Sequence, residues 1–312
     1  MLSLFHTALL ALFAAGSATA AGKTRKITVT NACDYTVWPG LFTSEGPMPA
    51  QPGGWEAKPG SSVSFTVQET WGGRIWPRTN CDFSDKSVPG YLACETGGCN
   101  GGLVCAPVGG TGVIPSTLAE FNFQKAVDFY DTSVVDGFNV PLAITSSSKK
   151  CKRSNCPYDL LSACPRALQK KNGKGKVIGC LTDCAANPQN SEYCCFGEHN
   201  TLASCPASGV PHLKWWKAMC PGAYAYAYDD ATSLYPCSDR ADYTITFCPS
   251  TELYSDAVCV LCSLRVLAQK SASADQDVAR CSVLANGASA PQGLSSAAKR
   301  ATSKHKSGTS HA

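Results

Sequence analysis

Ser61-Ser-Val-Ser-Phe-Thr-Val67 alternates polar and apolar side chains, and so do Lys26-Ile-Thr-Val-Thr30 and Tyr243-Thr-Ile-Thr-Phe247. A period of two puts Val63, Phe65 and Val67 on one face of an extended chain and the hydroxyls on the other, the pattern of a half-buried strand. Tyr35-Thr-Val-Trp38 reads as a further strand beside Cys33. Working outward, Gly and Pro interrupt such runs about every eight to twelve residues, the spacing of an antiparallel sandwich or barrel. The fold class is therefore mainly β. Helical spacing is confined to Leu213–Met219 and, less regularly, to Pro157–Leu168.

Composition agrees with a folded chain. Of 312 residues, 44% are hydrophobic and only 16% charged, which excludes a highly charged disordered chain and a coiled coil. This length suggests about two domains. The 19 cysteines are the unusual feature, and sixteen of them lie between Cys33 and Cys248, an even number that allows eight bridges. Zinc is a poorer use for them, because only His199 and His212 fall in that interval and no paired C-x2-C knuckles occur. No metal or cofactor is expected. The start of the chain agrees with an oxidising compartment: an apolar run from Ala8 to Ala15 precedes Ala18-Thr-Ala20, which reads as a secretory signal peptide over 1–20. The mature protein is thus expected to be extracellular, without a transmembrane anchor.

Residues 251–312 form a separate compositional zone. They hold seven Lys or Arg against four Asp or Glu, a charge of +3, whereas the chain before them carries 20 against 19, or +1. A basic excess that comes mostly from a Ser/Ala-rich tail is no argument for a nucleic-acid groove. The tail reads as disordered from about Gln269, and it holds Cys259, Cys262 and Cys281, of which at least one is expected to remain unpaired.

Familiar nucleophile motifs are missing: there is no G-x-S-x-G elbow, Walker loop or G-x-G-x-x-G after a strand. His199 and His212 read as surface histidines. Carboxylates remain. In Thr117-Leu-Ala-Glu-Phe-Asn-Phe123, Glu120 and Asn122 face away from Phe121 and Phe123, which sets a carboxylate on the polar face of a half-buried strand. Asp128, Asp131 and Asp136 follow, then Asp229-Asp230. Glycoside hydrolysis needs one protonated and one ionised carboxyl group, but the plain readings are a strand-surface charge for Glu120, a turn for Asp136-Gly137 and a solvated loop for Asp229-Asp230.

Six segments together resemble the thaumatin-like (pathogenesis-related group 5) proteins: Gly73-Arg-Ile-Trp-Pro-Arg-Thr-Asn-Cys81, Cys94-Glu-Thr-Gly-Gly-Cys-Asn-Gly-Gly-Leu-Val-Cys105, Thr117-Leu-Ala-Glu-Phe121, Asp136-Gly-Phe-Asn-Val-Pro141, Ser191-Glu-Tyr-Cys-Cys195 and Tyr243-Thr-Ile-Thr-Phe-Cys-Pro249. They stand in the family's order over about 25–250, with its sixteen cysteines. The resemblance implies a thaumatin-like domain over 21–250, with an eleven-strand sandwich core (about 24–78, 121–157 and 221–249), a disulfide ribbon lobe (about 79–120) and a helical disulfide lobe (about 158–220). It also implies the pairs Cys33–Cys248, Cys81–Cys94, Cys99–Cys105, Cys151–Cys237, Cys156–Cys220, Cys164–Cys180, Cys184–Cys194 and Cys195–Cys205.

The same resemblance implies an acidic cleft built from Arg74, Glu120, Asp131, Asp136 and Asp229, with Asp230 as the neighbouring alternative to Asp229. Gly98 and Pro77 depart from the family pattern, since Gly98 stands where an Asp is usual and Pro77 replaces a small residue. Neither change removes a cleft carboxylate. The expected function is binding of β-1,3-glucan or another cell-wall polysaccharide by a secreted monomer, with weak endo-β-1,3-glucanase activity. In that reading Glu120 is the general acid, Asp136 the base or nucleophile, and Arg74 a cation that keeps Asp131 and Asp229 ionised. The alternative is a non-enzymatic antifungal or wall-binding protein, or an inhibitor of foreign hydrolases.

Overall fold

The computed structural model describes residues 24–250; the stretch read as a signal peptide (1–20) and the tail with its three cysteines lie outside the described residues. Its strands, in chain order, are β1 (Thr24–Asn31), β2 (Gly40–Glu45), β3 (Ser62–Gln68), β4 (Gly72–Trp76), β5 (Thr79–Cys81), β6 (Cys94–Thr96), β7 (Leu118–Phe123), β8 (Asp128–Ser133), β9 (Leu142–Ser146), β10 (Ser154–Cys156), β11 (Gln169–Lys171), β12 (Val177–Cys180), β13 (Tyr235–Cys237) and β14 (Tyr243–Phe247). Ten of them form two five-stranded sheets, ordered β10-β9-β14-β1-β3 and β13-β8-β7-β4-β2; β5-β6 and β11-β12 are separate two-stranded ribbons. The sandwich core thus has ten strands, not eleven. Tyr35–Trp38, expected as a strand, contributes only the isolated bridge of Val37 to Ala57.

Burial follows the alternation. Ile27, Val29, Phe65, Val67, Leu142, Ile144, Tyr243, Ile245 and Phe247 from one sheet meet Ile75, Phe121, Phe123 and Tyr130 from the other in one apolar cluster. Each such side chain withdrawn from water stabilises the fold by about 1.5–3 kcal/mol. A polar link crosses this core: Arg25 on β1 donates twice to Asp128 on β8, both at 2.8 Å, and the Tyr243 hydroxyl donates to the same carboxylate. With both groups of that ion pair out of solvent, removing either partner would strand the other, so the pair fixes the stacking of the sheets rather than adding much net stability. One pairing is parallel, β1 with β14. The two ends of the domain therefore run side by side, and Cys33 and Cys248 are bridged just beyond them.

All eight bridges implied by the family pattern are present with those partners. Three of them, Cys156–Cys220, Cys164–Cys180 and Cys195–Cys205, belong to a second apolar cluster that includes Val134, Phe138, Leu168 and Trp216. Short helices cover it: α1 (Asp183–Ala186), α2 (Ser191–Cys194) and α3 (Leu213–Met219), with α4 (Asp230–Ser233) on the return to the sandwich. Pro157–Leu168 is not an α-helix. Among its residues only Arg166–Leu168 forms a 3-10 turn, because Pro165 removes a backbone donor and the bridges from Cys156 and Cys164 tie the two ends to Cys220 and Cys180.

The β5-β6 ribbon is held from inside. Arg78 is fully buried and donates to the carbonyls of Trp38, Pro39, Gly102 and Leu103. Burial lowers its pKa to about 10, so it stays charged at neutral pH and clamps the ribbon lobe to the β1–β2 connection.

Candidate acidic cleft

Three residues fall in register across the outer face of the second sheet. Arg74 on β4 lies opposite Glu120 on β7, and Glu120 lies opposite Asp131 on β8. Directly opposed residues of antiparallel strands share a face, so the three make one transverse row, continued by Phe42 opposite Arg74. The inner face explains why the row can form. Phe121, Phe123 and Tyr130 are buried in the core, which turns Glu120 and Asp131 outward. Gly73 leaves room there: a Cβ on it would lie 2.4 Å from the Trp71 ring.

Asp136 arrives from a turn. Gly137 has φ of +88°, a conformation that glycine adopts without penalty, and its amide donates to Val134 O at 2.9 Å. The turn brings Asp136 to Arg74, whose Nη1 lies 3.6 Å from Asp136 Oδ2 while its Nη2 lies 3.2 Å from Glu120 Oε1. Since both oxygens touch one planar guanidinium, they are no more than about 9 Å apart, within the range open to a carboxyl pair acting on one glycosidic bond. A groove of about 230 Å³ runs along the row, lined by Arg74, Glu120 and Asp131 together with Ser44, Asn122, Phe129 and Leu234 among others. Asp136 reaches it only through Arg74.

The carboxyls repel one another and are partly withdrawn from water. Burial raises the pKa of Glu120, Arg74 opposes the rise and Asp136 adds to it. Asp136 is raised by burial against the pull of Arg74. Asp131 stands well above the usual range, through burial first and then the charge of Glu120, with Asp230 adding to it. Arg74 lowers the Asp131 value, as expected of a nearby cation, but by less than burial and Glu120 raise it, because its nitrogens contact Glu120 and Asp136 instead.

Asp229 has other partners. Its Oδ2 accepts from Lys217 Nζ at 2.8 Å and from the Ala225 amide at 3.1 Å, and its Oδ1 accepts from Thr232 at 2.9 Å. The neighbouring Asp230 instead accepts from the Tyr224 hydroxyl at 2.6 Å and is the one whose charge acts on Asp131. Lys217 and Phe129 are members of this region that the sequence reading did not single out. Phe129 stands two residues before Asp131 on β8 and so shares its face, whereas Lys217 comes from α3 and no local pattern announces it. Among the described residues no group of three or more His, Cys, Asp or Glu is placed to hold a metal ion, and no helix is long and apolar enough to cross a membrane. His212, read as a surface residue, is bonded through Nδ1 to the buried Asp183 at 2.7 Å.

Such a sandwich, with a row of carboxyls and one arginine beneath disulfide-held lobes, defines a class, and the chain belongs to the thaumatin family: residues 31–249 match the family model described by that name. It is similar to pathogenesis-related thaumatin-like protein 3.5 of Cryptomeria japonica, with 46% identity over 226 residues, 72% of this chain and 90% of that protein. Thaumatin-like protein 1 of Castanea sativa is 38% identical over 253 residues, 80% of this chain and 98% of the relative. A Prunus avium protein named glucan endo-1,3-beta-glucosidase is 39% identical over 230 residues, covering 72% and 90%.

Proposed function

We propose that this chain is a secreted thaumatin-like defence protein that binds β-1,3-glucan along the groove over Arg74, Glu120 and Asp131 and cleaves internal linkages slowly. The observation that carries the reading is the row itself. One cation and two carboxyls share a groove with a third carboxyl beside it, and all three carboxyls are raised above their ordinary pKa values, so protonated and ionised carboxyl groups coexist under mildly acidic conditions, which a two-carboxylate glycosidase requires. The name of the Prunus avium relative supports the substrate class. An open groove on a sheet face accepts the interior of a polymer, which favours endo cleavage. Glu120 is central to either available pairing. With Asp136 as partner the two carboxyls bracket Arg74, and a separation towards the upper bound near 9 Å would leave room for a water and invert configuration. Only water is consumed, so no cofactor is required.

The test is release of reducing ends from soluble β-1,3-glucan at acidic pH, with retention on insoluble glucan measured in parallel. Wild type should cleave and bind, and Glu120→Gln should bind without cleaving. If both bind equally and neither cleaves, the carboxyls serve recognition alone and the protein is a wall-binding module.

A further inference from the structure

We propose that Asp131, rather than Asp136, is the proton donor to the glycosidic oxygen, that Glu120 is the carboxylate that attacks the sugar, and that cleavage therefore retains anomeric configuration. This rests on the hydrolytic reading above. Asp131 Oδ1 is buried and has no hydrogen-bond partner. An ionised carboxylate is badly served by a buried, unpaired oxygen, whereas the carbonyl oxygen of a neutral acid tolerates it far better. The geometry thus favours the protonated form before any titration is considered.

The order of charges along the row points the same way. Arg74 contacts Glu120 and Asp136, and Asp131 lies on the far side of Glu120 from it. Every other charged or titratable group that acts on Asp131 is acidic or phenolic: Asp230 at the start of α4, Tyr224, and Tyr235 of β13. The Tyr224 hydroxyl is already donated to Asp230. Lys217 at this end of the sheet has its three protons on Ala223 O, Asp229 and Ser233. Arg74 offsets a negative charge on Asp131 less than burial and the charge of Glu120 oppose it, while it contacts Glu120 directly, so Glu120 ionises first and Asp131 keeps its proton, in line with the direction of its shift.

Distance then sets the outcome. Glu120 and Asp131 are directly opposed on neighbouring strands, where Cβ atoms lie about 4.5–5.5 Å apart, and a carboxyl separation of about 5–5.5 Å is that of retaining glycosidases. Both residues line the groove. In the first step the Asp131 proton passes to the glycosidic oxygen as its bond to C1 breaks, the oxygen keeping the electron pair, while a Glu120 oxygen forms a bond to C1. In the second, water adds to C1, its proton returns to the Asp131 carboxylate, and Glu120 leaves with the bonding pair.

The experiment is proton NMR of the first reducing ends formed from a β-1,3-glucan oligosaccharide. The β anomer appearing first supports the proposal; the α anomer first overturns it. Asp131→Asn should lose about 100-fold or more of the rate on this substrate, the scale of a general acid, yet keep most of its rate on a β-glucoside with a dinitrophenolate leaving group, which departs without a proton. Asp136→Asn should show no such dependence on the leaving group, and if Asp136→Asn shows it instead, the assignment is wrong. Should wild type release no reducing ends at all, the hydrolytic reading falls separately, and carboxyl carbon-13 titration still judges the proton's place. Glu120 ionising at lower pH than Asp131 upholds it, and the reverse order refutes it.

Discussion

At the scale of single residues, Arg74 sets the acid-side limit of the cleft. Its guanidinium touches Glu120 and Asp136 and works against the burial that raises both. Removing the cation lets their pKa values rise further, so Glu120 would be protonated, and inactive as an attacking carboxylate, at pH values where it is now ionised. For Arg74→Gln, the acid limb of glucan cleavage should therefore move to higher pH by about one pH unit, the low end of what a charge at this distance contributes. A pH–rate profile of the folded variant measures it, and an unmoved limb would show that Arg74 does not act on the ionised carboxylate. Part of this site was legible in the sequence. Glu120 and Asn122 alternate with two phenylalanines, which is enough to turn the carboxylate outward. The partners of Arg74 were not legible, because they depend on the joint register of β4, β7 and β8 and on a turn at Gly137. Nor could sequence choose between Asp229 and Asp230, since the choice is made by Lys217, twelve residues before the first of them, and by the Tyr224 hydroxyl.

At the scale of elements, the row depends on a strand whose inner face carries only a glycine beside Ile75. In β4, Gly73 stands between the core and Arg74, and an added Cβ would lie 2.4 Å from Trp71 Cζ2 and 2.5 Å from Phe42 O. The Trp71 ring is fully buried and its Nε1 donates to Thr43 at 3.0 Å, so neither it nor the β2 backbone can withdraw freely. Gly73→Ala should destabilise the domain by about 1–3 kcal/mol as overpacking, read from the denaturation midpoint at unchanged slope. A stability equal to wild type would mean that β4 shifts without cost, and the register of Arg74 with Glu120 would then be loose. The same scale shows where pattern reading works. Lys26–Thr30, Ser61–Val67 and Tyr243–Phe247 alternate because one face of each is buried by the opposite sheet, so their strands were legible. Tyr35–Trp38 also carries strand-forming residues, but its backbone bonds go to Ala57 on one side and Arg78 on the other, so only the isolated bridge to Ala57 forms and no ladder extends from it. Pro157–Leu168 has helical spacing overruled by two bridges and a proline, constraints that no periodicity reports.

At the scale of the whole molecule, covalent closure and the charge of the cleft act on stability in different ways. Cys33–Cys248 encloses a separation of 215 residues, worth about 5 kcal/mol on a chain-entropy account, and this contribution does not vary over the acid range. The cleft carboxyls do vary. Glu120, Asp131 and Asp136 all have raised pKa values, so the folded state holds protons that the unfolded chain has already released. Their contribution is complete below the ordinary carboxylate range and is lost as pH climbs through the raised values. Glu95 has the opposite sign. Asn80 and Asn172 donate to it at 2.7 and 3.0 Å and lower its pKa, the Asn80 bond most. Its stabilising effect is thus present above the ordinary range and lost as pH falls through its lowered value; Asp82 and Asp85, held by Ser84 and Ser87, follow it. The two sets oppose each other across the ordinary carboxylate pKa, so the Tm should peak at about pH 4–5 and decline towards neutrality. Asp131→Asn, which places a neutral amide where the fold prefers a neutral acid, should raise the Tm at pH 7 and flatten that decline. Calorimetry at intervals from pH 3.5 to 7.5 decides the matter: a wild-type Tm that rises steadily up to pH 7.5, or a variant with the same slope as wild type, would mean that the cleft carboxyls are ionised together in the folded state.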